Sequence, residues 1–63
     1  MLGDRLKTAL AIRNMTQKEL SEIIGITDVT MSRYCKNERK PSSDVIIKIC
    51  KTLNISADWL LEL

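Results

Sequence analysis

The chain predicts an all-α fold, five short helices in a single domain covering residues 1–63. Three observations lead there. Apolar residues recur at spacings of three and four, the period of a helix with one buried face. Residues suited to starting a helix (Thr16, Thr27, Ser42 or Ser43, Ser56) each stand directly before such a segment. Strand signals are absent. A chain this short buries only about 60% of the surface its unfolded form exposes, so every core side chain matters.

In the first helix, Leu2 to Arg13, the residues Leu2, Leu6, Ala9, Leu10 and Arg13 recur at helical spacing, with Asn14 and Met15 as the turn. Thr16 begins the second. Its hydroxyl is placed to accept from the Glu19 N–H while the Glu19 carboxylate reaches back, a capping box. Leu20, Ile23 and Ile24 supply the expected apolar stripe, and Gly25 leaves the helix with positive φ. Ile26 plugs the turn, and Thr27 caps a third helix running to about Cys35. There the inward candidates are only Met31 and Tyr34, leaving Asp28, Val29, Ser32 and Arg33 opposite. A helix with so narrow a core stripe presents most of its surface to something other than its own protein.

Asn37 suits a left-handed position after Lys36. Pro41 blocks continuation of a helix, and Asp44 favours the first turn of the fourth. Ile46, Ile49, Cys50 and Leu53 form its inward stripe. Ile55 plugs the next turn, and a last short helix holds Trp59, Leu60 and Leu61, with Trp59 read as core.

Composition excludes more than it selects. Gly and Pro total three, against disorder or a loop-rich scaffold. Two cysteines, Cys35 and Cys50, lack CxxC spacing and there is no histidine, so no metal constellation is expected, and two free thiols in a reducing cytosol are. No cofactor or small-molecule motif stands out. The absence of a Cys/His pair and of a phosphate-cradling glycine loop, with little volume for a cleft, speaks against an enzyme. No apolar run suggests a signal peptide or a membrane span.

The net charge of +2 is modest, but its distribution is not: Arg33 to Lys40, "RYCKNERK", holds four of the ten basic residues and one of the eight acidic ones. The other residues carry six basic and seven acidic groups, net −1. A solvated loop is the plain explanation of such a cluster; its position after the exposed third helix suggests another. Two short helices joined by a glycine turn form a helix-turn-helix unit. A B-form major groove admits one projecting helix, while the N-terminal amides of the preceding helix favour a phosphate. Thr16 and Gln17 stand at that entrance, and the helix after Thr27 is placed to meet base edges.

The residues then resemble a known family. "TQKELSEIIGI", a threonine cap, "MSRY", a basic turn, "KPS", a hydrophobic helix and "LNISADWLL" look like the lambda/Cro-type helix-turn-helix domain of phage repressors and xenobiotic-response-element-like transcriptional regulators. The match spans about Leu2 to Leu61. Its parts are individually modest and jointly specific. The resemblance implies a lambda-repressor-like domain that binds double-stranded DNA, a repressor acting as a dimer on a palindromic operator. It implies a prokaryotic or phage-encoded protein at a cytoplasmic, DNA-associated location. Carried onto this sequence, it sets Thr27, Asp28, Val29, Ser32 and Arg33 against the major groove. Gln17 touches phosphate and braces the recognition helix, and Lys36, Asn37, Arg39 and Lys40 run along the backbone with Thr16. Family members usually place alanine where Ser21 stands. They also often pair an arginine on helix one with a glutamate ending helix three. Leu10 and Cys35 replace both, and are expected to pack together.

Arg33 is the foremost candidate for base readout, bidentate to guanine; its alternative is a phosphate contact. Val29 meets either a thymine methyl or helix two. Asp28 either accepts from a cytosine amine or serves the helix dipole. Thr27 is a cap before it is a reader, and Ser32 suits base or phosphate. Leu60, Leu61 and Leu63 offer apolar surface for a two-fold contact. The competing reading is a protein-interaction module, antitoxin-like, docking through helix three; the basic octet beside that helix is what such a partner does not require.

Overall fold

A computed structural model describes residues 1–63 as five helices: α1 (Leu2–Ile12), α2 (Gln17–Ile24), α3 (Asp28–Cys35), α4 (Ser43–Leu53) and α5 (Ala57–Leu61). The helix starts follow from side-chain chemistry. Thr16 completes its capping box, its hydroxyl accepting from the Glu19 N–H at 3.0 Å while Glu19 Oε1 accepts from the Thr16 N–H at 3.0 Å. Thr27 accepts from the Thr30 N–H, Ser42 rather than Ser43 from Val45, and Ser56 from Trp59. Each cap satisfies an amide that the helix leaves without a partner.

The helix ends obey the same logic. Gly25 adopts φ +79° after α2, and Ser21 O accepts from the Gly25 and Ile26 N–H groups at 2.9 and 3.0 Å. Asn14, Asn37, Asn54 and Glu62 also take positive φ, each just beyond a helix.

Leu6, Ala9, Leu10, Leu20, Ile24, Met31, Tyr34, Cys35, Ile49, Leu53 and Leu60 form one core. Helix α1 packs on α3 and α5, α2 on α3 and α4, and α4 on α5. Leu10 and Cys35 both belong to this core, as the paired replacement implied. Burial pushes the Cys35 thiol above its ordinary pKa, with the Lys7 ammonium pulling it part of the way back.

Two expectations need correction. Ile23 is 58% exposed and is not part of the α2 stripe. At 3.6 residues per turn, Leu20, Ser21 and Ile24 share the buried face, and Ile23 falls beyond its edge. Leu60 is fully buried in the core, so it is not available for a two-fold contact; Leu61 and Leu63 remain exposed. In α4 the inward row is led by Ile49 and Leu53, with Val45, Ile46 and Cys50 half-buried against it. No helix is long and apolar enough to cross a membrane.

Gly3 was not singled out by its sequence context, yet it fixes how α1 meets α3. A Cβ at this position would lie 2.5 Å from Cys35 O and 2.6 Å from Tyr34 O, so only glycine permits the approach. Across that contact the Gly3 N–H donates to Asn37 Oδ1 at 2.8 Å. The start of α1 is therefore fastened to the turn after α3.

Candidate nucleic-acid interface

Helix α3 is anchored from one side. Met31, Tyr34 and Cys35 enter the core, which orients the helix, while Asp28, Val29 and Arg33 are exposed and Ser32 is half-buried. Asp28, Ser32 and Lys36 follow one another at intervals of four, as do Val29 and Arg33, so they make two adjoining rows on one face. Val29 is 64% exposed, with no core role to explain a β-branched side chain there. Asp28, Val29, Ser32, Arg33, Lys36 and Glu38 line a shallow, open depression of about 380 Å³. The eight residues of α3 span about 12 Å, and a helix with its side chains is about 10–12 Å across, which matches a major groove about 12 Å wide.

The turn that follows brings Lys36, Asn37, Arg39 and Lys40 to the same end of α3, all exposed. None of its three cations, nor Arg33, forms an ion pair: every ion pair in the molecule involves Asp4 or Glu62. Glu38, the one acid of the octet, leaves them unpaired as well. Four cations are thus presented to solvent with no carboxylate to satisfy them.

Ahead of α3 in the chain, α2 presents its N-terminus. Thr16 is exposed and its hydroxyl is already an acceptor within the capping box; its O–H proton stays free to donate. Gln17 is half-buried at the first helical position. The sequence-expected residues therefore fall into three groups: an exposed face on α3, a basic turn after it, and the α2 N-terminus before it. Asn37 differs from the rest of its group, because its Oδ1 is engaged by Gly3 and only its amide nitrogen remains free. Thr27 is likewise committed as a cap, and its hydroxyl also meets the Thr30 hydroxyl at 2.9 Å.

One contact at this site was not legible in the sequence. Ser21, buried in α2, has its hydroxyl within hydrogen-bond reach of Asp28 Oδ1 across the turn between the two helices. A serine seven residues before an aspartate carries no local signal; only the folded turn brings the two together.

A family model described as helix-turn-helix matches residues 6–60. Among curated proteins, the chain is similar to the HTH-type transcriptional regulator ImmR of Bacillus subtilis, 38% identical over 95% of this chain and 47% of that protein. It is also similar to the repressor protein C2 of Salmonella phage P22, 24% identical over 98% of this chain and 29% of that one. The chain thus spans about half or less of the length of these relatives. Its fold matches the solution structure of the DNA-binding domain of the P22 C2 repressor with a TM-score of 0.90, covering 97% of this chain and 80% of that one at 24% identity. The ordered run of caps, glycine turn and basic turn, and the family match across nearly the whole of it, agree: the chain belongs to the lambda/Cro-type helix-turn-helix family.

Proposed function

We propose that this chain is the DNA-binding unit of a sequence-specific transcriptional repressor, with α3 lying in the major groove of double-stranded DNA. The observation that carries the reading is the pairing of an exposed polar row on α3 with four cations that have no partner in the protein. Phosphates supply the missing anions, and release of their counterions drives the association. Thr16, Gln17, Lys36, Asn37, Arg39 and Lys40 hold the backbone. Val29, Ser32 and Arg33 face the bases, Arg33 against a guanine and Val29 against a thymine methyl. Asp28 is the fourth residue of that face, and Thr27 sits at its margin.

Energetics call for two copies. A specific site must outcompete nonspecific DNA by about 4–10 kcal/mol, while each good bidentate contact provides about 1–3. One copy of α3 reaches only the lower bound. Two copies on a palindrome, with half-sites about one helical turn apart, exceed it. Leu61 and Leu63, exposed at and beyond the end of α5, supply the apolar surface for that two-fold contact. A cytoplasmic location goes with such a role.

The deciding experiment is selection of bound duplexes from a random pool, followed by gel shift of the winner in a salt series. A palindromic winner, weakening by about 0.9 log units per log unit of salt for each phosphate contact, is the expected result. Lys40→Ala lowers that slope by about one contact and weakens all sequences alike. A pool that converges on no motif would overturn the reading. A second reading has one observation behind it: 32% identity over 56 residues to the antitoxin PezA of Streptococcus pneumoniae, which points to a toxin-like protein partner for α3 instead. Such a partner would leave the selection without a winner.

A further inference from the structure

We propose that Ser21 is a positioning residue: it aims the Asp28 carboxylate so that each half-site must offer a cytosine amine at one defined position. The inference rests on α3 being the helix that enters the groove. Ser21 is 1% exposed, and its Oγ lies 2.7 Å from Lys18 O as well as within bonding reach of Asp28 Oδ1. A serine hydroxyl has one proton to donate. Of its two acceptors the ionised carboxylate is the stronger, so the proton goes to Asp28. The donor is held by the core of α2, and the acceptor stands at the solvent edge of α3. Asp28 has no ion-pair partner, and its second oxygen, Oδ2, accepts from no donor in the protein.

An aspartate at the first position of a helix serves the dipole through its charge alone, which is insensitive to the direction of the side chain. A hydrogen bond from a buried serine on the neighbouring helix adds nothing to that role. It fixes a rotamer, and a fixed rotamer matters where direction matters. Asp28 lines the depression that also holds Val29, Ser32 and Arg33, so its free oxygen belongs to the reading face. Guanine offers that oxygen two acceptors, thymine one, and adenine an acceptor beside its amine; cytosine alone offers only a donor. The held carboxylate thus selects by repelling guanine and thymine as much as by binding cytosine, and its fixed direction sets the cytosine amine against adenine, where N7 lies beside the donor.

The test compares wild type, Ser21→Ala, Asp28→Asn and Asp28→Ala. Each is put through selection from random duplexes, then titrated against the wild-type winner. A second form of that duplex carries 2-pyrimidinone, which lacks the 4-amine, in place of the cytosine. The wild type should enrich cytosine at one position per half-site. Ser21→Ala should keep the remaining motif and the salt dependence while losing about tenfold in preference at that position, the scale of one charge-assisted hydrogen bond. Asp28→Asn, with donor and acceptor side by side, should exchange the preference for adenine. Removing the amine should weaken wild type about tenfold and leave Asp28→Ala unchanged.

An undiminished cytosine preference in Ser21→Ala overturns the positioning role. Equal loss of affinity by wild type and Asp28→Ala on amine removal overturns the contact. Should Ser21→Ala fail to fold, judged by its thermal melt, Ser21→Cys, whose thiol is only a weak donor, takes its place under the same criterion. If the wild type enriches no motif, the groove reading of α3 has failed; if it enriches a motif without an Asp28-dependent cytosine, only this inference has.

Discussion

The flank where α1 meets α5 and the face built on α3 use the same kinds of residue for opposite ends. On the flank, Arg5 donates to Trp59 O at 2.8 Å, lies 5.1 Å over the Trp59 ring and pairs with Glu62 at 3.4 Å. Arg13 donates to Leu53 O at 2.7 Å and Asn54 O at 3.2 Å, satisfying carbonyls at the end of α4. There the guanidinium groups are structural parts, joining helices far apart in sequence. On the α3 face Arg33, Lys36, Arg39 and Lys40 touch no carboxylate. The difference teaches that the number of cations says little about binding. Lys18, Lys48 and Lys51 are exposed and unpaired too, so what sets the α3 face apart is that four unpaired cations gather at one end of one exposed helix.

The contrast breaks most visibly at the α1–α3 seam. Cys35→Glu would place a charge in the core with Leu10, not arginine, across from it, and should cost about 3–5 kcal/mol in urea denaturation. An unchanged midpoint would refute the packing of Leu10 and Cys35 as an uncharged pair. Gly3→Ala comes next. Its methyl meets backbone oxygens that have little room to yield, and the Asn37 bond is strained with it, for a loss of about 1–3 kcal/mol. This substitution also tests whether the basic turn keeps its shape once unfastened from α1, read as a parallel fall in DNA affinity.

A matched pair of arginine substitutions sharpens the comparison. Arg5→Ala should lower stability by about 1–2 kcal/mol, through lost packing and hydrogen bonding, with base preference unchanged. Arg33→Ala should stay within about 0.5 kcal/mol of wild type in stability and relax discrimination at one base position. Identical signatures from the two would erase the division between flank and face.

The smallest effect is alkaline. Burial raises the Cys35 and Cys50 thiol pKa values in the folded protein above the ordinary value of 9.0. In the unfolded chain the thiols ionise first, so the stability contributed by the neutral buried thiols is complete below that pH. It declines as pH climbs through the raised folded values. Thermal melts from pH 8 to pH 10 should fall less in Cys35→Ala, measured against that variant's own value at pH 8.

Local chemistry carried the sequence reading a long way. Thr16 with Glu19, Thr27, Ser56, Gly25 and Asn37 announce their helix boundaries because each acts on an amide or carbonyl a few residues distant. The charge octet and the sparse apolar stripe of α3 likewise lie within one stretch of chain. What stayed hidden acts over long separations. Nothing near Gly3 reveals that backbone from residues 34 and 35 will press on it. Arg13 reads as part of the α1 periodicity, while its guanidinium belongs to the end of α4. Ile23 looks like core until the placement of Leu20, Ser21 and Ile24 fixes the rotation of α2 and leaves it outside. Helical periodicity limits which residues share a face; tertiary packing decides which of the possible faces turns inward.

The left-handed asparagines bear on anyone wishing to make the domain sturdier. Asn14, Asn37 and Asn54 share nearly one backbone geometry, φ 53°, 61° and 52°, and glycine adopts it without steric conflict. Swapping in glycine at 14 and 54, the two whose side chains make no tertiary hydrogen bond, relieves the backbone against the extra freedom glycine gives the unfolded chain, and breaks no side-chain bond. At 37 the same exchange deletes the carbonyl that holds Gly3. Three sites that a consensus redesign would treat alike therefore divide into two that accept the exchange and one that would come loose.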